Sequence, residues 1–214
     1  MKAHKTELER RSYFFEVRAE KNERGYIITG RPVVYESRTN LGDFDEIIKR
    51  GALDNADLTD VRFLVNHDLS NIPLARSRRN NGNSTMQLIV DFYGMGIEVI
   101  LDVENNSQAR ALYSAVQRGD ISGMSFMFSI RDEEWDDLDT DHPTRRIKDI
   151  GTVVEVSAVT FPAYESTEIS ARCKDALESA RSALESARQQ RGTSLDSDLE
   201  LLKAKYEFKS KLGK

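Results

Sequence analysis

Two neighbouring segments in the middle of the chain carry an apolar side chain at every second position, the first from Met86 to Phe92 and the second from Met95 to Leu101. The dipeptide Tyr93–Gly94 separates them. Successive side chains of a β-strand point to opposite faces, so each segment gathers its apolar positions on one face. The pattern therefore predicts a β-hairpin with one apolar face and restricts the chain to folds that contain such hairpins.

Five other segments have the composition of strands. They are short runs rich in β-branched and aromatic residues, namely Tyr13–Ala19, Tyr26–Tyr35, Val61–Val65, Met124–Ile130 and Thr152–Phe161. The second of these runs contains Gly30 and Pro32, which predicts a bent or bulged strand near a sheet edge. The third runs directly into the polar triplet Asn66–His67–Asp68.

Two segments predict helices in the body of the chain. The clearer one spans residues 106–118, where Asn105 or Asn106 can cap the N-terminus and Gly119 ends the helix. Its apolar stripe consists of Ala109, Leu112, Tyr113 and Val116. A shorter helix is predicted for Phe44–Arg50, which Gly51 would close.

The two ends of the chain differ from the body. Residues 1–11 are charged and unpatterned, so we expect a mobile lead-in. From about Thr167 the apolar residues follow helical spacing, with a thin seam formed by Cys173, Leu177, Ala180, Leu184 and Ala187, and later by Leu195, Leu199, Leu202 and Tyr206. We expect this tail to pack on a partner, on another copy or on the body, although the pattern fits a merely solubilising extension equally well.

Composition excludes several classes of protein. A length of 214 residues with 39% hydrophobic residues suits one domain with an appendage. The net charge of -5 and a sequence pI near 5.4 argue against a dedicated nucleic-acid binder, which leaves only local basic patches such as Arg76–Arg79. One cysteine excludes an intramolecular disulfide framework and a cysteine-rich metal site. Without a signal peptide or a membrane span, we expect a soluble intracellular protein with no membrane partner, no metal and no cofactor.

An acidic run, DEEWDDLDTD, occupies residues 132–141 and holds seven carboxylates. Such a run usually forms a solvated loop, and we expect one here. A metal-binding loop is the weaker interpretation, because an EF-hand would need its glycine and its closing glutamate at fixed spacing.

Ser125 is a candidate nucleophile. On a strand, Met124, Phe126 and Phe128 would face the core, and Ser125 would lie on the other face beside Gly123, two positions before it. A serine hydroxyl reacts at neutral pH only when a base lies within hydrogen-bond reach. Taken alone, the residue fits better as a buried serine satisfied by its strand neighbours.

His67 and Glu155 are the candidates for that base and for its orienting group. His67 ends a buried strand, whereas His4 lies in the lead-in and His142 in the acidic loop before Pro143. Glu155 is predicted to share a strand face with Val153 and Ser157, and a buried carboxylate needs a partner. An imidazolium could be that partner, and the alternatives are a structural histidine and a salt bridge from the carboxylate to an arginine.

Three segments together resemble the phage prohead proteases of the HK97 type, serine peptidases that mature tailed-phage capsids. They are VRFLVNHDLSNIPLARS, DISGMSFMF and VEVSAVTFPAYEST, and GALDNAD is similar to the helix and loop that precede the histidine block. The resemblance implies a flexible lead-in over residues 1–12, a protease domain over 13–170 and a helical tail over 171–214. It also implies an α+β, mainly β fold, an antiparallel β-barrel wrapped by short helices, as in the herpesvirus assembly proteases.

Site residues follow from the same resemblance. His67 matches the general base, Ser125 the nucleophile and Glu155 the acidic third member. The herpesvirus enzymes use a histidine as the third member, which makes His142 the alternative. The oxyanion hole is not assigned, and Arg145–Arg146 and Arg76 are the candidates for it.

The implied activity is a serine endopeptidase that cleaves the scaffolding segment of the major capsid protein, and itself, inside the assembling prohead in the host cytoplasm. The tail would associate with the scaffold and be removed by self-cleavage near the body–tail junction or within the tail. A homodimer is expected by analogy with the herpesvirus enzymes. The rival is a noncatalytic assembly or scaffold protein in which the β-domain only displays the tail.

Overall fold

The computed structural model describes residues 8–13, 17–160, 181–192, 200 and 203. Within them the strands are β1 Leu8–Tyr13, β2 Arg18–Asn22, β3 Gly25–Val34, β4 Arg38–Asn40, β5 Asp45–Ile48, β6 Asp60–Val65, β7 Ala75–Arg78, β8 Met86–Asp91, β9 Gly94–Leu101, β10 Gly123–Asp136 and β11 Thr144–Val159. The helices are α1, Ser107–Arg118, and α2, residues 181–192. Neither helix has the length and hydropathy that crossing a membrane would require.

The strands form two sheets. A seven-stranded sheet has the order β1-β10-β11-β5-β4, and β6 pairs with a second part of β11 and carries β7 on its far side. A four-stranded sheet has the order β2-β3-β9-β8. Pairing is antiparallel except where β5 and β6 each run parallel to β11. Apolar residues of both sheets and of α1 share one core.

The α+β, mainly β class is confirmed, but the expected antiparallel barrel is wrong. The long strand β11 pairs with β5 through Thr144–Ile147 and with β6 through Glu155–Ala158, so the larger sheet branches instead of closing. In the described part of the chain, β1, β4 and β7 each have a single neighbouring strand, which leaves the sheet open at three edges.

Segments with strong local patterns have the predicted structure. The strands β8 and β9 form the hairpin, with Leu88 opposite Ile97. Helix α1 is capped by Asn106 and ends at Gly119, which has a φ of 80°. The register shift between Gly30 and Val33 confirms the predicted bulge in β3. This strand nevertheless lies between β2 and β9 and is not at an edge.

Three other segments differ from the sequence prediction, each because of a long-range partner. Phe44–Arg50 contains strand β5 in place of a helix, because β4 and β11 pair with β5 on either side. The acidic run continues β10 as far as Asp136, and only the residues after it form a turn. In the expected lead-in, residues 8–12 belong to β1, which pairs with β10.

The described part of the tail packs on the body. Leu184 of α2 is 5% exposed and contacts Phe44, with Leu41, Trp135 and Leu138 around them. Arg188 donates to the carbonyl oxygens of Leu138 (3.2 Å) and Thr140 (3.0 Å). The body–tail junction and the rest of the predicted seam, apart from Ala187, lie outside the described residues.

Candidate active site

His67 lies just beyond the end of β6, in a turn of left-handed backbone. Asn66 and His67 have φ values of 51° and 58°, in the left-handed region that non-glycine residues rarely occupy. Strand β11 and its end hold this turn, because the Asn66 N–H donates to Ala158 O (3.0 Å) and the His67 N–H donates to Ser157 Oγ (3.0 Å). Such strain persists where neighbouring structure enforces it, often at functional sites.

Glu155 lies beside His67 because β11 runs parallel to β6. Its carboxylate is fully buried, and its Oε1 contacts His67 Nδ1. The hydroxyl of Ser157 donates to the other carboxylate oxygen, Oε2, at 2.6 Å. The partner of the buried carboxylate is therefore an imidazole and a hydroxyl, and the alternative of a salt bridge to an arginine is not what the structure shows.

A bulge in the β10–β11 ladder determines on which face of the sheet Glu155 lies. Met127 pairs with Glu155, but the next residue, Phe128, pairs with Val153, so Val154 is left over. Val153 therefore joins the core with its partner Phe128, while Glu155 shares the opposite face with its partner Met127. The prediction that Val153 and Glu155 share a face is wrong, because an extra residue in one strand reverses the alternation.

The contact through Nδ1 determines what the imidazole can do. An imidazole whose Nδ1 faces a carboxylate has Nε2 left to accept a proton. The side chain of His67 is 12% exposed, so the ring lies at the rim of the fold. This arrangement of a buried carboxylate behind a nearly buried histidine suits a general base.

Ser125 lies on β10, between Ser12 of β1 and Ser157 of β11 in the pairing register. It is 0% exposed, and its hydroxyl donates to the Arg11 carbonyl oxygen at 2.8 Å. Because a hydroxyl has one proton, the Ser125 hydroxyl cannot donate to His67 at the same time. The apolar residues Met124, Phe126 and Phe128 face the core as predicted.

Ser157 is the residue on which the three candidates converge, and sequence reasoning assigned it no role. It lies opposite Ser125 in the ladder, where facing Cβ atoms are about 5 Å apart. Its hydroxyl also contacts both His67 and Glu155. The available signal was its position two residues after Glu155 on the same strand face.

His142 is in a different part of the molecule. It follows the acidic turn, where its Nε2 is 2.9 Å from Asp45 Oδ1 and 3.4 Å from the amide nitrogen of Asn40. Burial opposes ionisation of Asp45, but hydrogen bonds from His142 and Arg38 outweigh it and lower the pKa of that carboxyl. The structure thus brings Glu155, and not His142, to His67. His4 lies outside the described residues.

The arginines considered for an oxyanion hole are engaged elsewhere. Arg76 binds Asp60 through two contacts of 2.5 and 2.6 Å, and Arg146 binds Asp136. Arg145 is 1% exposed and binds three carboxylates. None of these contacts involves Ser125.

A buried ion cluster lies next to the serine strand, formed by Glu9, Arg11, Glu46 and Arg145. Arg11 binds Glu46 (2.5 Å) and Glu9 (2.5 Å), and Arg145 binds Glu9 (2.8 Å) and Glu46 (3.3 Å). Burial raises the pKa of Glu9, but the guanidinium groups of Arg11 and Arg145 outweigh this effect and lower it to about 2. Sequence reasoning missed this cluster because its members come from separate segments.

A cavity of about 430 Å³ lies beside the histidine turn. Asn66 and Asp68, which flank His67, line it together with apolar residues such as Leu64, Leu112 and Ile121. The cavity can accept an apolar side chain close to the histidine.

The comparison with protein families agrees with the prediction from the three motifs. The family model described as caudovirus prohead serine protease matches residues 14–181. No match was found among curated proteins. Among solved structures, the chain is similar to the bacteriophage T4 capsid assembly protease, gp21, with 12% identity, a TM-score of 0.45, and coverage of 73% of this chain and 98% of that chain. Since the family model spans most of its length, the chain belongs to the caudovirus prohead serine proteases.

Proposed function

We propose that this chain is a serine endopeptidase that cleaves the scaffolding segment of a phage major capsid protein, and itself, during prohead maturation. Family membership makes it a peptidase of capsid maturation. The observation that supports the specific chemistry is the contact of His67 Nδ1 with the fully buried carboxylate of Glu155, next to the strand that carries Ser125.

In the proposed mechanism, Ser125 Oγ attacks the carbonyl carbon of the scissile bond while His67 Nε2 takes the hydroxyl proton. His67 then gives this proton to the leaving amine, and water hydrolyses the acyl-enzyme with His67 again as the base. Glu155 orients the ring and stabilises its charged form. The hydroxyl of Ser157 positions both partners. It donates a hydrogen bond to the Glu155 carboxylate and accepts one from the backbone N–H of His67.

The proposed substrates are the scaffolding segment and the protein's own tail. Helix α2 lies against the body through one buried leucine and several exposed arginines, which suits a segment that can be released. We place self-cleavage near the body–tail junction or within residues 171–214. The protein would act in the host cytoplasm, inside the prohead, and a homodimer is part of the proposal by analogy.

The test is the intact mass of co-expressed capsid protein and of the protease itself. We expect Ser125→Ala to abolish shortening of both chains. The matched control is Ser129→Ala, because Ser129 is a 1% exposed serine of the same strand whose hydroxyl accepts from Thr152 N, whereas Ser125 lies opposite Ser157. Shortening that persists in Ser125→Ala would instead favour the noncatalytic scaffold protein, with processing by another enzyme.

A second experiment tests the third member of the triad. We expect Glu155→Gln to lower the cleavage rate by about 10⁴-fold, because the ring loses its orienting carboxylate. His142→Ala should leave the rate unchanged, since His142 contacts Asp45. Loss of cleavage in His142→Ala with an active Glu155→Gln would reverse the assignment.

A further inference from the structure

The described state has a nucleophile that a polypeptide substrate cannot reach. Ser125 is 0% exposed, and its proton is bound by a carbonyl oxygen of the same chain. A protease acting on another protein must expose this hydroxyl. A segment of the chain that covers Ser125 therefore has to move away from it. Strand β1 is the segment whose backbone contacts the hydroxyl directly.

Strand β1 has the geometry of a bound peptide. It pairs antiparallel with β10 from Leu8 opposite Ser129 to Tyr13 opposite Met124. Within the described residues, β10 is its single neighbouring strand. An extended peptide that adds to a sheet edge binds in this way, through main-chain hydrogen bonds and alternate side chains.

The alternate side chains of β1 meet charges of opposite sign. The register places Glu9 opposite Phe128 and Arg11 opposite Phe126, so both lie on the other face from Ser125. There Glu9 binds Arg145 through two contacts of 2.8 and 2.9 Å, and Arg11 binds Glu46 through two contacts of 2.5 and 2.6 Å.

Buried ion pairs of this kind are better suited to recognition than to stability. Replacing them by apolar residues of similar volume is often neutral or stabilising, whereas a mismatched occupant leaves a buried charge unpaired. Arg145 and Glu46 belong to strands of the body and remain when β1 leaves. They therefore define two charged positions along the edge of β10.

From the pairing and the charges, we infer that the edge of β10 is the substrate-binding surface and that β1 is its resident occupant. The substrate is an extended peptide that replaces β1, with a basic residue whose carbonyl lies at Ser125 and an acidic residue two positions before it. Glu46 binds the basic side chain and Arg145 the acidic one. This inference rests on the proposed function, because it takes Ser125 as the nucleophile.

The test measures how fast a fluorophosphonate probe labels Ser125 in the full chain. Arg11→Glu puts a carboxylate against Glu46 and Glu9, so β1 should leave the edge and labelling should accelerate by about tenfold or more. The matched control is Arg10→Glu, the same charge change at the adjacent position outside the ion cluster, and its labelling should stay within about twofold of wild type. If Arg11→Glu fails to fold by circular dichroism, Arg11→Met, which removes the charge but keeps the volume, takes its place.

A peptide in trans supplies the second arm. The peptide TELERRSYFFE, residues 6–16, should protect Ser125 of the Arg11→Glu or Arg11→Met chain from the probe, as a competing occupant of the edge that Ser125 can cut after Arg11. The same peptide with Glu9→Arg and Arg11→Glu has identical composition and should not protect. This pair separates recognition of the two charges from nonspecific peptide binding.

Each outcome decides between the two proposals. Rapid labelling of wild-type Ser125, equal to that of the Arg11 variant, would overturn the inference while leaving the serine protease in place. Equal protection by both peptides would overturn the recognition of charge by Glu46 and Arg145. If the probe labels Ser125 in no variant while Ser125→Ala still processes capsid protein, the proposed function fails and takes the inference with it.

Discussion

Both ends of the described chain fold back on the same body, and both do so with arginine–carboxylate pairs. In β1 the pair is buried, with the side chains of Arg11 and Glu46 3% and 0% exposed. In α2 it is on the surface, with Arg181 and Asp43 50% and 52% exposed at 2.5 Å. Breaking the buried pair should therefore cost much more free energy than breaking the exposed pair, because water screens the exposed charges and is excluded from the buried ones.

The single tryptophan lies between these two regions. Trp135 has the Arg145 guanidinium of the ion cluster 5.6 Å from its ring centroid, and the ring of Phe44, which packs on α2, is 5.1 Å away. Its fluorescence can therefore report the loosening of either end.

The largest effect is expected from removing a buried charge. Arg145→Ala leaves Glu9 and Glu46 each without one partner, and breaking a buried ion network in this way should cost about 3–5 kcal/mol of unfolding free energy. The neighbouring Arg146→Ala is the control, because its pair with Asp136 is 26% and 40% exposed and should cost less than about 1 kcal/mol. Urea unfolding followed by Trp135 fluorescence measures both, and equal losses would contradict the contrast between burial and exposure.

The buried ion cluster should also make the free energy of unfolding depend on pH. Folding lowers the pKa of Glu9 from 4.5 to about 2, so the folded state favours its ionised form. This contribution, roughly 3 kcal/mol, is fully present above about pH 4.5 and is lost as the pH falls towards 2. Other carboxylates titrate in the same range, so the measured quantity is the difference between wild type and Glu9→Gln. A difference independent of pH between 2 and 5 would contradict the prediction.

The sequence predicted the elements whose signals are local. The hairpin β8–β9 and the capped helix α1 follow from periodicity within one segment, and both are present. The strands β1 and β5 were missed because their charged residues become buried only through distant partners. Glu9 binds Arg145, 136 positions away, and no local pattern shows such a pairing.

The same limit applies to the site. Family motifs singled out His67, Ser125 and Glu155, and the structure joins His67 to Glu155. The contacts of Ser157 and the hydrogen bond from Ser125 to the Arg11 carbonyl oxygen were not predicted, because both depend on which strands are neighbours. The lead-in was expected to be mobile and the tail to carry structure, yet β1 is tied to the body by buried charges, whereas the charged contacts of α2 are exposed.

Docking of α2 should depend mostly on Leu184. Removing this buried side chain from its contact with Phe44 should cost about 2 kcal/mol, at the low end for a leucine because the cluster is small. The loss should fall on the helix alone, so Leu184→Ala changes Trp135 fluorescence and exposes α2 to limited proteolysis before global unfolding. The exposed Glu185→Ala is the control and should leave both signals unchanged. A lower global midpoint with an intact α2 would contradict local release.

The smallest effect is expected for the exposed ion pair between Arg181 and Asp43. Arg181→Ala removes a contact in which both partners are about half exposed, so it should cost less than about 1 kcal/mol of α2 docking. Raising the salt concentration from 0.05 to about 0.5 M should weaken wild-type docking by a similar amount and abolish the difference between wild type and variant, because screening removes the same interaction. The control is Arg191→Ala, whose contact with Asp139 is longer, at 3.4 Å, and should cost less still. Protease accessibility of α2 measures both, and a loss as large as that of Leu184→Ala would show that charge, and not the leucine, holds the helix.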